Sequence, residues 1–391
     1  MELPTPFLAG AFFVAFSGFA LAQAPAPAAA PAAPSAIANA PALVSPEVLA
    51  DRRVTFRLSA PKATTVTMKG DWHDEVKALT KDDKGVWSLT LGPFAPSNYI
   101  YNFTMDGVVI ADPANPQVKL RQQGQGSFFN VPGDASGLGD VRAVPHGSIE
   151  VDAQKSVVLS EARAFLVYTP PGYAQERDRR YPVLYLLPGS NDRPQVWVDI
   201  GKINSIADNL IAEKKAEPMI IVMTMVGSRG NGVRDNAAVF EEYLLKHLIP
   251  AVEAKYRVAA GRQNRAIAGL SMGGDTSMRV FSNRVEKFSA AGMFSPAPSV
   301  SSVPAEKPAV YGDAKAFNAQ VDALFLACGR QDSFFARSKE LDESLTALGI
   351  NHTWWPTEGD HHTALWREQA AEFLPLLFHA GGPAARAAGG K

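Results

Sequence analysis

Cysteine is almost missing from this chain: Cys328 is the only one in 391 residues. That excludes an internal disulfide, and the apolar stretch Ala323 to Cys328 makes the residue a buried strand position rather than a catalytic thiol. Net charge is missing too. With 38 Lys and Arg against 39 Asp and Glu, scattered along the sequence, the chain has no electrostatic footprint for nucleic acid or an anionic membrane surface. The mixed run Glu176-Arg177-Asp178-Arg179-Arg180 reads as a solvated loop. Beyond Ala22 no apolar stretch is long enough to cross a bilayer. Asp360-His361-His362 stands without further ligand pairs at zinc spacing, so no metal and no cofactor is expected.

What is present is a globular chain, 46% hydrophobic, with room for one large domain and a smaller one. Phe7 to Ala22 is an apolar run ending in Ala20-Leu21-Ala22, the small-x-small pattern of a secretory cleavage site. Residues 1–22 are therefore read as a signal peptide, and the protein as secreted or periplasmic. Glu2 and the lack of Lys or Arg before Phe7 depart from the usual pattern, and an uncleaved anchor is the alternative. Residues 23–42 are almost entirely Ala and Pro and form a linker that cannot bury a core.

From 43 to 132 short β-type segments alternate with turn signals, as in Val54 to Leu58, Val86 to Leu91 and Tyr99 to Met105. The expectation is a small antiparallel β-sandwich, with Asp106-Gly107 as a hairpin turn that needs positive φ. Residues 133–144 are a connection. From 145 to 380 strands alternate with helical segments, at Ala164 to Tyr168, Val183 to Leu187, Met219 to Val226, Arg265 to Ala268, Ala290 to Phe294, Ala323 to Cys328 and Thr353 to Trp355. Buried strands joined by helical crossovers predict an α/β domain with a mainly parallel sheet and helices on both faces. Phe240, Leu244, Leu248 and Val252 fall four apart on one helical stripe that Pro250 should kink. Residues 381–391 read as a flexible tail.

Within that frame Gly269-Leu270-Ser271-Met272-Gly273 is a G-x-S-x-G pattern between a strand and a helix, the setting of a nucleophile elbow. Ser271 is the candidate nucleophile. Asp332 follows the strand ending at Cys328, and His361 and His362 follow the last strand. Serine, acid and then histidine is the order of an α/β-hydrolase. The chemistry needs those types: an imidazole accepts the hydroxyl proton during attack, a buried carboxylate holds the imidazole, and backbone amides stabilise the oxyanion. The amides expected to do this belong to Met272, after the nucleophile, and Ser190, on the loop after an early strand. Trp197, Trp355 and Asp275 are candidate substrate contacts, and Met223, Met225 and Phe294 could join the tryptophans in an aromatic acyl pocket.

Two resemblances follow. Ala60-Pro61-Lys62-Ala63, Gly70-Asp71-Trp72, Gly85-Val86-Trp87 and Asp112-Pro113-Ala114-Asn115-Pro116 resemble the immunoglobulin-like domains related to the isoamylase N-terminal, glycogen-binding family. That implies a carbohydrate-binding module in which Trp72, Trp87 or Tyr101 could stack on a sugar ring or serve as core. Tyr181 to Gly189, Trp197, the GLSMGG at Gly269 to Gly274, Gly329 to Asp332 and the G-x-H before Trp366-Arg367 resemble the esterase D superfamily, and within it the feruloyl and acetyl-xylan esterases of carbohydrate esterase family 1. The resemblance implies a serine esterase acting through an acyl-enzyme on feruloyl or acetyl groups of plant cell-wall polysaccharide such as xylan. It also implies His361 rather than His362 as the base, because in that family the histidine usually lies five residues before the Trp of the Trp-Arg pair. Pro188-Gly189, where many relatives have His-Gly, and Asp275 depart from the pattern. The alternatives are an enterochelin-type siderophore esterase, with Arg193, Arg229 and Arg330 as a cationic pocket, and an inactive carbohydrate-binding protein.

Overall fold

The strands from Val183 onward are apolar at nearly every position, which suits a sheet covered on both faces. A computed structural model describes residues 43–72, 75–122, 124–133, 137–159, 161–227 and 237–379. The signal segment, the Ala/Pro linker, the tail and Arg229 lie outside the described residues.

The main sheet has eight strands: β1 Ser148–Ser156, β2 Glu161–Thr169, β3 Val183–Leu187, β4 Ile220–Met223, β5 Arg265–Leu270, β6 Ala290–Phe294, β7 Ala323–Gly329 and β8 Thr353–Thr357. Their order is β1-β2-β4-β3-β5-β6-β7-β8. β3 to β8 run parallel, and β2 is antiparallel to both β1 and β4. The mainly parallel α/β sheet expected from the sequence is thus present. β1 is the strand that the sequence reading missed. SIEVDAQKS alternates between half-buried and exposed positions on a sheet edge, so it lacks the continuous apolar run by which the inner strands stand out.

Each face of the sheet carries a core. Val183, Tyr185 and Leu187 of β3 point into one, with Phe240, Leu244, Leu248 and Val252; Leu184 and Leu186 point into the other, with α1 (Ile203–Ala212) and Trp366 and Phe373. The helical stripe is buried as the four-residue spacing predicts. Its helix is interrupted differently, however: a π-helical turn, Leu244–Leu248, joins Ala237–Tyr243 to Ile249–Lys255, and Pro250 sits in the first turn of the last segment. The wide turn just before the proline accommodates its missing amide without losing the apolar stripe.

Residues 47–131 form two antiparallel sheets. One contains Glu47–Val48, Val54–Ser59, Val86–Leu91 and Thr80–Lys81; the other contains Lys77–Ala78, Val66–Gly70, Ser97–Met105, Gln125–Val131, Val118–Leu120 and Val108–Ile110. Asp106 and Gly107 have φ of 47° and 85°, as a tight hairpin turn between strands requires. Trp87 and Tyr101 belong to this region's own core. Trp87 donates its indole N–H to Ala60 O at 3.0 Å, and Tyr101 donates its hydroxyl to Asp112 Oδ2 at 2.6 Å. Trp72 packs against the same core, among Phe56, Phe94, Tyr99 and Phe129. The three aromatics read as possible sugar platforms are thus used for packing, since a small antiparallel region has few other large apolar side chains with which to fill its interior.

The described residues pack as one compact unit. Ile100 and Phe128 of the antiparallel region join the core that lies beneath α1, and Asn98 donates its side-chain N–H to Ile200 O at 3.2 Å. The connection is tied down as well, Asp208 of α1 accepting from His146 and from the Gly147 amide at 2.9 Å. Among the described residues no helix is long and apolar enough to cross a membrane.

Because Phe128 fills this shared core, Phe128→Ala is expected to cost about 3 kcal/mol. Both regions should lose stability together in a denaturant titration followed by circular dichroism and tryptophan fluorescence; loss confined to one region would contradict a shared core.

Candidate active site

The site forms at the carboxyl edge of the parallel strands, where open α/β sheets gather functional groups. β5 ends at Leu270, helix α2 (Met272–Asn283) begins at Met272, and Ser271 between them has φ 53° and ψ −120°. A serine in that region is strained, and the strain turns its side chain outward at the elbow. The two glycines of the motif serve a separate purpose. A Cβ on Gly269 would lie 2.5 Å from Gly273 C, and one on Gly273 would lie 2.4 Å from Pro188 O. Strand, helix and the neighbouring loop touch through bare backbone. Hydrogen bonds hold the elbow: the Ser271 amide donates to Phe294 O at 2.8 Å, and the Ala297 amide donates to Ser271 O at 2.9 Å.

The acid and the base arrive on two interlaced loops. After β7 the Arg330 amide donates to Thr357 O at 2.7 Å and the Gln331 amide to Gly359 O at 3.1 Å. The Gln331 side chain accepts from the Gly359 amide at 2.6 Å and donates to Glu358 at 2.7 Å. Gly329 makes this approach possible, because a Cβ there would stand 2.1 Å from Gly359 O.

That lacing brings Asp332 Oδ2 to 2.8 Å from His361 Nδ1, and His361 Nε2 to 3.0 Å from Ser271 Oγ. A carboxylate can only accept, so Nδ1 carries the proton and Nε2 is left to accept from the serine hydroxyl. The ring stands edge-to-face between Phe334 and Trp366, with centroids 4.7 and 5.0 Å away. Burial acts to raise the Asp332 carboxyl, but the hydrogen bond and charge of His361 and the Phe334 amide at 2.8 Å outweigh it and hold the group below the usual carboxylate value. His362 points elsewhere. It precedes helix α3 (Thr363–Phe373) and its Nε2 lies 3.0 Å from Asp360 Oδ1.

The two backbone segments expected to supply the oxyanion amides both adjoin the serine. Met272 opens α2, where an amide has no partner within the helix and the helix dipole favours negative charge. Ser190 follows Gly189, and a Cβ on Gly189 would lie 3.6 Å from Ser271 Cβ, so this loop faces the serine closely.

The substrate contacts anticipated from sequence fare less well. Trp197 is 2% exposed and packs edge-to-face on Phe294 inside the core beneath α1, with Met223 buried in the same core, so these side chains do not reach a substrate surface. Trp355 leans on Phe325 and is half-buried on the edge strand β8. Asp275 is held by Arg279 at 3.1 Å and by the Ser299 hydroxyl at 2.8 Å, which makes it part of the helix start rather than an open contact. Their closeness in sequence to the motifs carried no information on the direction of the side chains. Met225 does reach an opening: with Gln122, Phe165, Arg193 and Gln195 it lines a cavity of about 240 Å³ beside the Ser190 loop.

Sequence reasoning passed over a second set of neighbours, from the antiparallel region. Lys119 makes an ion pair with Asp192 at 3.0 Å, both nearly buried, and the Gln122 amide donates to Asn191 O at 2.8 Å. Asp71 is half-buried near by, and desolvation pushes its carboxyl up to about 6 against the Ile100 amide and the charges of His362 and Lys119. No motif marks Lys119 or Gln122, and Asp71 figures only within Gly70-Asp71-Trp72. Only the Asn191-Asp192 pair, adjoining Ser190, could have drawn notice.

Comparison with known proteins gives a consistent picture. The family model described as "Putative esterase" matches residues 156–377. An endo-1,4-beta-xylanase/feruloyl esterase from Xylanibacter ruminicola is 30% identical over 353 residues, covering 87% of this chain and 47% of that protein. The chain spans about half the length of the first curated relatives it matches, 47% and 58%. A solved ferulic acid esterase is 30% identical with a TM-score of 0.52, over 59% of this chain and 97% of that one. The enterobactin esterase FES from Shigella flexneri shares the fold at 17% identity and a TM-score of 0.63, over 84% of this chain and 94% of that one.

Two outcomes are expected from this geometry. Gly329→Ala should cost more than about 2 kcal/mol in a chemical denaturation titration, because backbone has to move to admit the Cβ; a neutral result would contradict the contact with Gly359. A carboxyl with a raised value in the folded state adds stability that is complete below its ordinary value near 4 and is lost as pH rises through about 6. Asp71→Asn should therefore gain on the native protein by on the order of 1–3 kcal/mol between pH 4 and 6; parallel stability curves would contradict it.

Proposed function

The chain belongs to the esterase family whose model covers residues 156–377, and from that membership and its Ser271, His361 and Asp332 geometry we propose that it is a serine carboxylic-ester hydrolase working through an acyl-enzyme. The observation that carries the proposal is the unbroken relay, 3.0 Å from Ser271 Oγ to His361 Nε2 and 2.8 Å from His361 Nδ1 to Asp332 Oδ2. Both distances lie within the reach needed for proton transfer.

In the proposed reaction Ser271 Oγ attacks the ester carbonyl while His361 Nε2 takes the hydroxyl proton. The imidazolium is stabilised by the buried Asp332 carboxylate. The carbonyl oxygen becomes an oxyanion between the amides of Met272 and Ser190. Collapse expels the alcohol, which leaves with the proton from His361. Water then attacks the acyl-enzyme by the same route, with His361 again as base, and releases the acid and free Ser271.

For the substrate we infer a feruloyl-type ester on polysaccharide such as xylan. The resemblance to the Xylanibacter ruminicola protein and to the solved ferulic acid esterase supports this reading. The cavity of about 240 Å³ lies among Gln122, Phe165, Arg193, Gln195 and Met225, and Ser271, His361 and Asp332 are not part of its lining. An enterobactin-type substrate has less support, because of the three arginines considered for a cationic pocket Arg193 lines the cavity, Arg330 is turned to Glu358 at 3.4 Å, and Arg229 lies outside the described residues. We read the antiparallel region over 47–131 as an immunoglobulin-like sandwich and the chain as exported to the periplasm or beyond, on the strength of the leader pattern in residues 1–22.

Ser271→Ala, His361→Ala and Asp332→Asn are each expected to lower kcat/KM on methyl ferulate by on the order of 10⁴ with the fold retained, and His362→Ala by less than about tenfold. Inactivity of His362→Ala together with an active His361→Ala would reverse the assignment of the base. Assaying methyl ferulate, acetylated xylan and enterobactin side by side should show preference for the ferulate; preference for enterobactin would favour the siderophore reading. Activity should survive dialysis against a chelator, and loss rescued by zinc would overturn this account.

A further inference from the structure

The loop that presents the Ser190 amide is held from outside the α/β region. Arg121 and Asp192 form an antiparallel bridge, the Gln122 amide donates to Asn191 O at 2.8 Å, and Arg193 Nε donates to Arg121 O at 2.9 Å. Three successive residues after Ser190 are thus paired, like a short strand, with residues 121–122 of the antiparallel region. Asn191 has φ 61°, a left-handed conformation that this pairing helps to maintain.

Beneath the backbone contacts sits the Lys119 and Asp192 ion pair, Nζ to Oδ1 at 3.0 Å with side chains 5% and 6% exposed. Oδ2 of the same carboxylate lies 3.6 Å from where a Cβ on Gly189 would be, and the Asp192 amide donates to Gly189 O at 3.3 Å. The carboxylate is therefore packed against the residue whose peptide carries the Ser190 amide. A buried ion pair adds little net stability, but it is intolerant of displacement, because moving one charge leaves the other desolvated and alone.

We propose that Lys119 is a positioning residue: by pinning Asp192 it fixes the Gly189–Ser190 peptide relative to Ser271, so that the antiparallel region completes the oxyanion site of the α/β region. The inference rests on the reading of Ser271 as nucleophile. An amide aimed at an oxyanion stabilises the transition state and contributes little to the bound ester, so loosening it lowers kcat and leaves KM nearly unchanged. A residue needed only for folding would lower the amount of active protein without that split.

The test uses the full chain, with active sites counted by stoichiometric titration of Ser271. Lys119→Met is expected to lower kcat per active site on methyl ferulate by about 10- to 1,000-fold with KM within about threefold. Its affinity for a trifluoromethyl ketone analogue of the ferulate ester, which forms a tetrahedral adduct, should fall by a similar factor. Lys119→Arg, which keeps the charge, should recover much of both. If Lys119→Met fails to fold, the double variant Lys119→Met/Asp192→Asn, which leaves no unpaired charge, is measured instead with the same expectation. Native kcat per active site in a folded variant, or a rise in KM alone, overturns the proposal while leaving the esterase reading intact. Native protein inactive on every ester tried overturns both.

Discussion

One imidazole joins two parts of the chain that are far apart in sequence, and the geometry of the site depends on where that ring is held. Its Nδ1 is 2.8 Å from Asp332 and its Nε2 is 3.0 Å from Ser271, and neither contact tolerates a shift of an ångström. The ring is kept there by Phe334 and Trp366 on either side and by backbone contacts between the two loops that carry Asp332 and His361. Those contacts require glycine at 329, as the elbow requires glycine at 269 and 273. At all three positions the need is for backbone to touch backbone, not for an unusual φ. The strained φ belongs to Ser271 itself, and hydrogen bonds from the adjoining strand and loop hold it.

The antiparallel region takes on a different character once its side chains are located. Trp72, Trp87 and Tyr101, the residues suited to stacking on sugar, are spent on a small interior. Its outward contribution comes through Ile100 and Phe128, which enter the core beneath the parallel sheet, and through residues 119–122, which meet the loop after β3. A region shaped in this way acts as a buttress for its neighbour. Lys119 of this region is nearly buried where it meets Asp192 of the loop after β3.

Much of the architecture was legible because it rests on local pattern. Continuous apolar runs marked the inner strands, the G-x-S-x-G pattern marked the elbow, and strand ends marked where Asp332 and His361 had to lie. β1 escaped because an edge strand buries only part of one face and looks polar in sequence. Trp197 was misplaced for a related reason. Nearness along the chain to the Ser190 loop did not tell whether Trp197 turns toward a ligand or into the core, and the packing under α1 turned it inward.

By itself the sequence determined which chemical groups are available and in what order: a serine at a strand-to-helix turn, then a carboxylate, then an imidazole, on an α/β scaffold with a β region before it. Those are properties of residue type, spacing and periodicity, which act over a few residues. The family resemblance already favours His361 over His362, but tertiary structure alone decided that Asp275 is absorbed by Arg279 and that Lys119 meets Asp192. Each of these depends on the direction of a side chain set by packing between segments distant in sequence, and a hydrogen bond acts only over about 3 Å, a scale that no pattern along the chain encodes.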